Sequence, residues 1–380
     1  MTTLVNARLV LPGEVRHGWL RTAGDRIAEL APPGEAPGQA PSTGEVVDVA
    51  GRYVVPGFVD VHVHGAAGVS YQSGLADEAA RAARFHREHG TTTTMASLVT
   101  GSPQELAKAV SGLAEAAANG VIAGIHLEGP YLSAARCGAH DPAWLRPPDP
   151  AEFRDLVQAG RGHLRMITLA PELPGALELV RTAVPEGVIA AVGHTDATAA
   201  RTREAIEAGA RVATHLFNAM RPVHHRDGGP VVATLNDPRV TVELINDGVH
   251  VDADVARLVF AAAGAGRVAL ITDAMAATGM GDGDYRLGGM DVRVRDGRAL
   301  LADGTSIAGS TITMADAFRR AVIDVGLPVE QAARAAALTP AGMLGLADDI
   351  GSLEPGKRAD LLVLDDDLTV TRVMKNGRWL

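Results

Sequence analysis

Apolar and polar positions alternate through Val59-Asp60-Val61-His62-Val63-His64, directly after Pro56-Gly57-Phe58. Read as a strand over Phe58–His64, this period of two puts the three valines on one face and Asp60, His62 and His64 on the other. Seven further strand-like runs follow, at Thr91–Leu98, Val121–Leu127, Leu164–Leu169, Val188–Val192, Arg211–Thr214, Val240–Ile245 and Arg267–Ile271. Helical periods lie between them, at Ala76–His89, Pro103–Ala118, Ala151–Ala159, Ala197–Ala208 and Ala253–Ala263, and two more helices over Thr311–Val325 and Val329–Leu344 close the array. Eight β/α repeats predict an α/β protein built on a (β/α)8 TIM-like barrel. An open doubly wound sheet is the alternative, but no G-x-G-x-x-G follows the first strand.

The two ends of the chain read differently. Short strands are predicted at Leu4–Leu11, Gly18–Thr22, Arg26–Leu30 and Val46–Asp48, with a Pro/Gly-rich link from Ala31 to Gly44. Asp360–Leu364 and Thr369–Lys375 are strand-like too, before a Lys375-Asn376-Gly377-Arg378 turn. Neither end is long enough for a domain of its own. We therefore expect residues 1–55 and 350–380 to pair into one small β-sandwich domain, with the barrel spanning 56–349. A strand-rich insert at 285–303 should lie near that domain or near the barrel mouth.

Composition narrows the class. The 380 residues are 47% hydrophobic and 21% charged, and no apolar run approaches the roughly 20 residues a membrane span needs. Met1-Thr2-Thr3-Leu4-Val5-Asn6 lacks the basic and apolar regions of a secretory signal, so the cytoplasm is expected. One cysteine, Cys137, excludes an intrachain disulfide. A formal charge of -10 argues against general nucleic-acid binding, and an anionic substrate would need a local cluster of donors.

The chemistry lies at the strand ends. An isolated H-x-H reads as easily as two surface histidines, although His62 and His64, roughly 7 Å apart along a strand, can reach one point beyond its end. What changes the reading is that other ends match: His126-Leu127-Glu128 after strand three, Gly193-His194-Thr195-Asp196 after five, Thr214-His215 after six, Asp247-Gly248-Val249-His250 after seven and Thr272-Asp273 after eight. In a (β/α)8 barrel these ends converge on one mouth. Glu128, His194 and His215 would form a three-ligand site with an open position, suited to zinc or another first-row divalent ion such as Fe2+, Mn2+ or Co2+. His62 and His64 could hold a second ion, with Glu128 between the two. Asp273 would face the activated water as general acid and base, the plainer reading being a cap on the next segment. His126 reads as a core histidine, and His17, His86, His89 and His163 read as surface residues.

Taken together, Pro56–Gly65, His126-Leu127-Glu128-Gly129-Pro130-Tyr131, Gly193-His194-Thr195-Asp196-Ala197, Thr214-His215-Leu216-Phe217-Asn218-Ala219-Met220, Asp247–His250, Thr272-Asp273-Ala274 and Ala308-Gly309-Ser310-Thr311 resemble the N-acetylglucosamine-6-phosphate deacetylases of the amidohydrolase superfamily. The resemblance covers nearly the whole chain. It implies Glu128, His194 and His215 as metal ligands and Asp273 as the catalytic acid/base. It also implies substrate contacts from Ala139, His140, Asn218, Ala219, Arg226 and His250 and from the backbone of Ile307, Ala308 and Gly309. In this family the arginine matching Arg226 reaches across from a neighbouring subunit, which implies a homodimer; taken alone, Arg226 reads equally as a solvated loop residue. Members that keep H-x-H can hold two ions, and this chain keeps it.

Thr168-Leu169-Ala170-Pro171-Glu172 carries no lysine, so the carbamylated-lysine bridge of other amidohydrolases is not expected. Cys137 falls on an expected mobile loop and reads as an unreactive thiol rather than a gate or redox sensor. The implied reaction converts N-acetylglucosamine 6-phosphate to glucosamine 6-phosphate and acetate, in amino sugar catabolism and cell-wall amino sugar recycling. The alternative is another amidohydrolase, acting on a cyclic amide, a dipeptide or a nucleobase, for which Arg226 would have no phosphate to hold.

Overall fold

The computed structural model describes residues 1–32 and 44–380, so most of the expected link from Ala31 to Gly44 lies outside the described residues. Packing divides the chain into two units: Met1–Asp60 with His86–Thr93 and Thr313–Leu380, and Val61–Phe85 with Thr94–Ile312. In the first, the two ends of the chain share one eight-stranded sheet. Leu361–Leu364 from the C-terminal end pairs antiparallel with Tyr53–Pro56, which in turn pairs with Thr2–Leu11. Thr2–Leu11 also pairs with Glu45–Asp48 along its first half, and a bulge between Leu4 and Ala7 separates the two partners. Leu4, Leu9, Leu20, Val54, Leu361 and Met374 form the buried apolar cluster of this sheet.

The second unit is organised by a seven-stranded parallel sheet of Ala96–Leu98, Ile125–Glu128, Leu164–Leu169, Ile189–Val192, Val212–Ala213, Thr241–Ile245 and Val268–Ile271. Each strand is buried on both faces or nearly so, as expected for parallel strands covered by helices outside and packed side chains inside. The sheet curls into the predicted barrel, and its mouth closes through the chain beyond Asp60. Asp273 N–H donates to the His62 carbonyl at 2.9 Å, His64 N–H to Ala274 at 2.8 Å and Ser97 N–H to Val63 at 2.9 Å.

Several boundaries differ from the sequence pattern. The strand expected over Phe58–His64 is only Phe58–Asp60, and His62 and His64 lie just past it. The chain there leaves regular pairing: Val63 N–H donates to the Ser97 hydroxyl, and His64 and Gly65 both donate to one carbonyl of Ala274. The second strand breaks at Met95 into Thr91–Thr94 and Ala96–Leu98, and the third begins at Ile125 rather than Val121. Helices Ala176–Ala183 and Gly229–Asn236 were not legible, being two turns long and started by glycine or proline. Pro103–Ala118 and Ala253–Ala263 match their expected spans, the former opened by a Ser102/Glu105 capping box.

His86 corrects an expectation: it is fully buried, not a surface residue. It falls on the same helical face as the buried Ala79, Ala82 and Ala83, a spacing that places it inward. His17 and His89 are exposed and His163 is half-buried. The insert is a three-stranded antiparallel sheet, Gly283–Leu287, Met290–Arg295 and Arg298–Leu301, and its apolar face packs with Val99, Ala139 and Met275 at the barrel mouth.

Candidate active site

Glu128 ends the third barrel strand, and its two carboxylate oxygens face two different clusters. Oε1 lies 2.9 Å from His194 Nε2 and 2.8 Å from His215 Nε2, and those nitrogens are 3.0 Å apart. Oε2 lies 3.2 Å from His64 Nε2 and 3.5 Å from His62 Nε2, while Asp273 Oδ1 is 3.0 Å from His64 Nε2 and 3.5 Å from His62 Nε2. His62 Nε2 and His64 Nε2 are 3.3 Å apart. All six side chains are buried, and each set, Glu128/His194/His215 and His62/His64/Asp273, gathers its ligand atoms within 4.8 Å.

The other ring nitrogens decide what these contacts are. His194 Nδ1–H donates to the Arg136 carbonyl at 3.0 Å, His64 Nδ1–H to the Ser97 carbonyl at 3.2 Å, and His62 Nδ1–H to Glu243 Oε2 at 3.0 Å. In the neutral rings Nε2 is then a bare lone pair aimed at carboxylate oxygens and at other bare nitrogens. Such a convergence repels unless a proton or a cation stands in the middle. Ligands about 2.0–2.1 Å from a tetrahedral ion are roughly 3.3 Å apart; the 3.0–3.5 Å separations of His62, His64 and Asp273 bracket that spacing, and the 2.8–3.0 Å separations of Glu128, His194 and His215 are somewhat tighter. The donors therefore fit divalent ions, and the strand ends supply two adjacent places for them, joined by Glu128.

Without ions, protons do the same work. Burial alone would lower the His64 pKa, but hydrogen bonds to Asp273 and Glu128 raise it to about 9. His62 is raised well above its ordinary value, its burial outweighed by the charges of Glu128 and Glu243. Burial works against ionised Glu128 and Asp273 as well, yet the histidines hold both carboxylates below their usual range. His194 is lowered, chiefly by burial and then by His140.

Backbone strain collects at the same place. His194, His215, Phe217, Ala219 and Asp273 all have left-handed φ, from 26° to 76°. For residues other than glycine this costs about 1–3 kcal/mol each, and of these five His194, His215, Ala219 and Asp273 line the cavity.

A cavity of about 350 Å³ opens over the two clusters. Of the expected substrate contacts, Ala139, His140, Asn218, Ala219, His250, Ile307 and Gly309 line it. Ala308 is buried behind them, its N–H donating to Ala299. Arg226 is not part of the lining: it sits exposed in a tight turn where His224 and Asp227 exchange main-chain hydrogen bonds. Cys137 is half-buried beside this lining.

Two further lining histidines have defined tautomers. His140 Nδ1 accepts from the Thr100 N–H at 3.3 Å, so a neutral ring carries its proton on Nε2, 3.5 Å from Glu128 Oε2. His250 is the reverse: Nδ1–H donates to Asp247 Oδ2 at 2.6 Å, and Asp247 with Asp273 raises its pKa against the effect of burial. His126 is the core histidine expected, bonded to the Ser97 and Thr168 hydroxyls beneath His62.

Sequence reasoning missed Val99, Leu287, Thr305 and Ser306 in the lining, and Glu243 behind it. The first four come from the second strand end, the insert and the segment just after it, where no pattern marks a role. Glu243 did carry a signal, a lone carboxylate inside the apolar run Val242-Glu243-Leu244.

The sequence profile of the Amidohydrolase family matches residues 53–380. An N-acetylglucosamine-6-phosphate deacetylase of Bacillus subtilis is 34% identical over 370 residues, covering 96% of this chain and 92% of that protein. An N-acetylgalactosamine-6-phosphate deacetylase of Escherichia coli O157:H7 is 36% identical over 382 residues, covering 100% and 99%. Among solved structures, a variant of the N-acetyl-D-glucosamine-6-phosphate deacetylase of Mycobacterium smegmatis, in complex with N-acetyl-D-glucosamine-6-phosphate, superposes with a TM-score of 0.93 at 48% identity, covering 100% of this chain and 98% of that one. With profile and full-length relatives in agreement with the geometry of the strand ends, the chain belongs to the amidohydrolase family, among its N-acetylglucosamine-6-phosphate deacetylases.

Proposed function

We propose that the chain hydrolyses the acetamide of N-acetyl-D-glucosamine 6-phosphate, consuming one water and releasing acetate and D-glucosamine 6-phosphate, as a step of amino sugar catabolism and cell-wall amino sugar recycling. The observation that carries this is the pair of histidine–carboxylate clusters sharing Glu128 at the floor of one cavity, with Asp273 at its edge. The ligand set is Glu128, His194 and His215, joined by His62 and His64 for a second ion. Its N/O donors suit Zn2+, with Fe2+, Mn2+ or Co2+ as alternatives. A divalent ion held there supplies Lewis acidity to the acetyl carbonyl and to the attacking water.

The chain's own groups do the rest. Asp273, held ionised by the neighbouring histidines, takes a proton from water as the C–O bond forms. It returns that proton to the sugar nitrogen as the C–N bond breaks. His140 offers its Nε2–H as a donor, placed to stabilise negative charge growing on the carbonyl oxygen. His250, braced by Asp247, positions the sugar with Asn218, Ala219 and Ala139. The main chain at Ile307, Ala308 and Gly309 lies along the same wall.

No lysine or arginine lines the cavity among the described residues. A phosphate bound there needs a cation from elsewhere, and Arg226 of a second copy of the chain is our candidate, which makes the working unit a homodimer. No described helix is long and apolar enough to cross a membrane; the metabolic role of the relatives, not that absence, supports a cytoplasmic setting.

Acetate release should be followed on N-acetylglucosamine 6-phosphate, N-acetylgalactosamine 6-phosphate and unphosphorylated N-acetylglucosamine, with ion-loaded and chelated protein. Chelator-sensitive turnover of the phosphorylated glucosamine substrate supports the proposal. Absence of turnover in ion-loaded protein, with faster hydrolysis of a cyclic amide, dipeptide or nucleobase, would overturn it.

A further inference from the structure

Glu243 stands in the middle of the strand Thr241–Ile245 with no exposed surface. Its Oε2 accepts from His62 Nδ1–H at 3.0 Å and from the His215 main-chain N–H at 3.2 Å, while its Oε1 has no hydrogen-bond partner. Its only ion pair among the described residues is with His62. A carboxylate buried this way costs several kcal/mol unless positive charge lies close by, and the ring of His62 separates it from the point where the second set of ligand atoms converges.

The other histidines are held differently. His64 and His194 give their Nδ1–H to neutral carbonyls, and His215 Nδ1 has no partner. His62 alone among the four has a carboxylate behind it.

We propose that Glu243 is the positioning residue of the His62/His64/Asp273 ion site. It fixes His62 with the proton on Nδ1, turns the bare Nε2 toward Asp273 and Glu128, and through the ring makes that nitrogen a stronger donor. It reaches the Glu128/His194/His215 set only through the main chain of His215. Its loss therefore weakens the two ion sites unequally. The proposal rests on reading both clusters as ion sites and is independent of which amide is cleaved.

The test is titration of chelator-stripped protein with Co2+, followed by calorimetry and by visible absorption, for wild type, Glu243→Gln and Glu243→Met. Wild type should take two ions per chain. In Glu243→Met the dissociation constant of one ion should rise about 10–100-fold, the other staying within about threefold. Glu243→Gln keeps an acceptor for Nδ1–H without the charge, and its constant should fall between. Should the methionine variant not fold, the glutamine variant is read by the same criterion. Variants that titrate like wild type, equal weakening of both ions, or a single ion in wild type would each overturn the proposal. Acetate release by wild type stands apart from all three outcomes and reports only on the deacetylase reading.

Discussion

Asp273 Oδ1 lies 3.0 Å from His64 Nε2, on an imidazole whose other nitrogen is already committed to the Ser97 carbonyl. The carboxylate thus touches one ion set while lining the cavity above the other, a position from which it can exchange protons with a water and a leaving amine. Asp273→Asn keeps the shape and removes the base. The expected result is a fall in kcat of about 10²- to 10⁴-fold, with the ion at Glu128, His194 and His215 still present by elemental analysis. A near-normal rate in that variant would remove Asp273 from the chemistry.

Ions and protons compete for the same convergence of lone pairs, and the competition has a sign. In the ion-free protein His64 has a folded-state pKa raised from 6.5 to about 9. The stability it contributes is complete below about pH 6.5 and is lost as pH rises through about 9, at most about 3 kcal/mol in all. Asp273 and Glu128 are shifted downward and act only at lower pH. Zinc-loaded protein should behave in the opposite way over this window, because acid returns protons to His62 and His64 and weakens the ion's hold. Thermal melts of chelated and zinc-loaded protein from pH 6 to 9 should therefore draw apart as pH rises. Parallel curves would mean that the ions bind elsewhere.

Asp247 Oδ2 and His250 Nδ1 form a second coupling, 2.6 Å long, and Asp247 also accepts the main-chain N–H groups of Val249 and His250. Burial lowers the His250 pKa, but Asp247, with a further contribution from the charge of Asp273, raises it by more. If protonated His250 helps hold the substrate, KM should climb on the alkaline side, and in Asp247→Asn the climb should begin at lower pH. The measurement is a pH profile of kcat and of KM for both proteins. An unmoved alkaline limb would sever the link between the pair and binding.

How much of this was legible depended on the range of the signal. The eight strands and the ligand residues at their ends rest on local apolar runs and on residue chemistry, and both are visible in a one-dimensional pattern. Strand ends were misjudged where the chain stops pairing regularly: the valine alternation runs on to His64, but the last regular strand residue is Asp60. Left-handed φ at His194, His215 and Asp273 leaves no mark in sequence, because nothing but glycine advertises that conformation. His86 was misplaced by residue type, although its helical phase with Ala79 and Ala82 pointed inward. Leu287 reaches the cavity from the insert and Thr305 and Ser306 from the segment just after it, a juxtaposition set by tertiary structure alone.

Arg226 carries the last prediction. Among the described residues no lysine or arginine lines the cavity to meet a phosphate, and the turn that holds Arg226 is stiffened by paired main-chain hydrogen bonds and by Asp227, whose carboxylate bonds Arg221 at 3.0 Å. Arg226 is exposed in that turn and does not line the cavity of its own chain. If it serves a neighbouring copy, Arg226→Ala should raise KM for the phosphorylated sugar with a smaller effect on kcat, since a phosphate contact remote from the amide binds ground and transition states alike. A sharper outcome follows from mixing. Neither Arg226→Ala nor Asp273→Asn protein should be efficient alone. Hybrid dimers formed from both contain one site with wild-type Asp273 facing a wild-type Arg226, and at low substrate concentration each should recover up to about half of the activity of a wild-type dimer, by subunit complementation. If mixing restores nothing while subunit exchange is verified, Arg226 acts within its own chain or not at all.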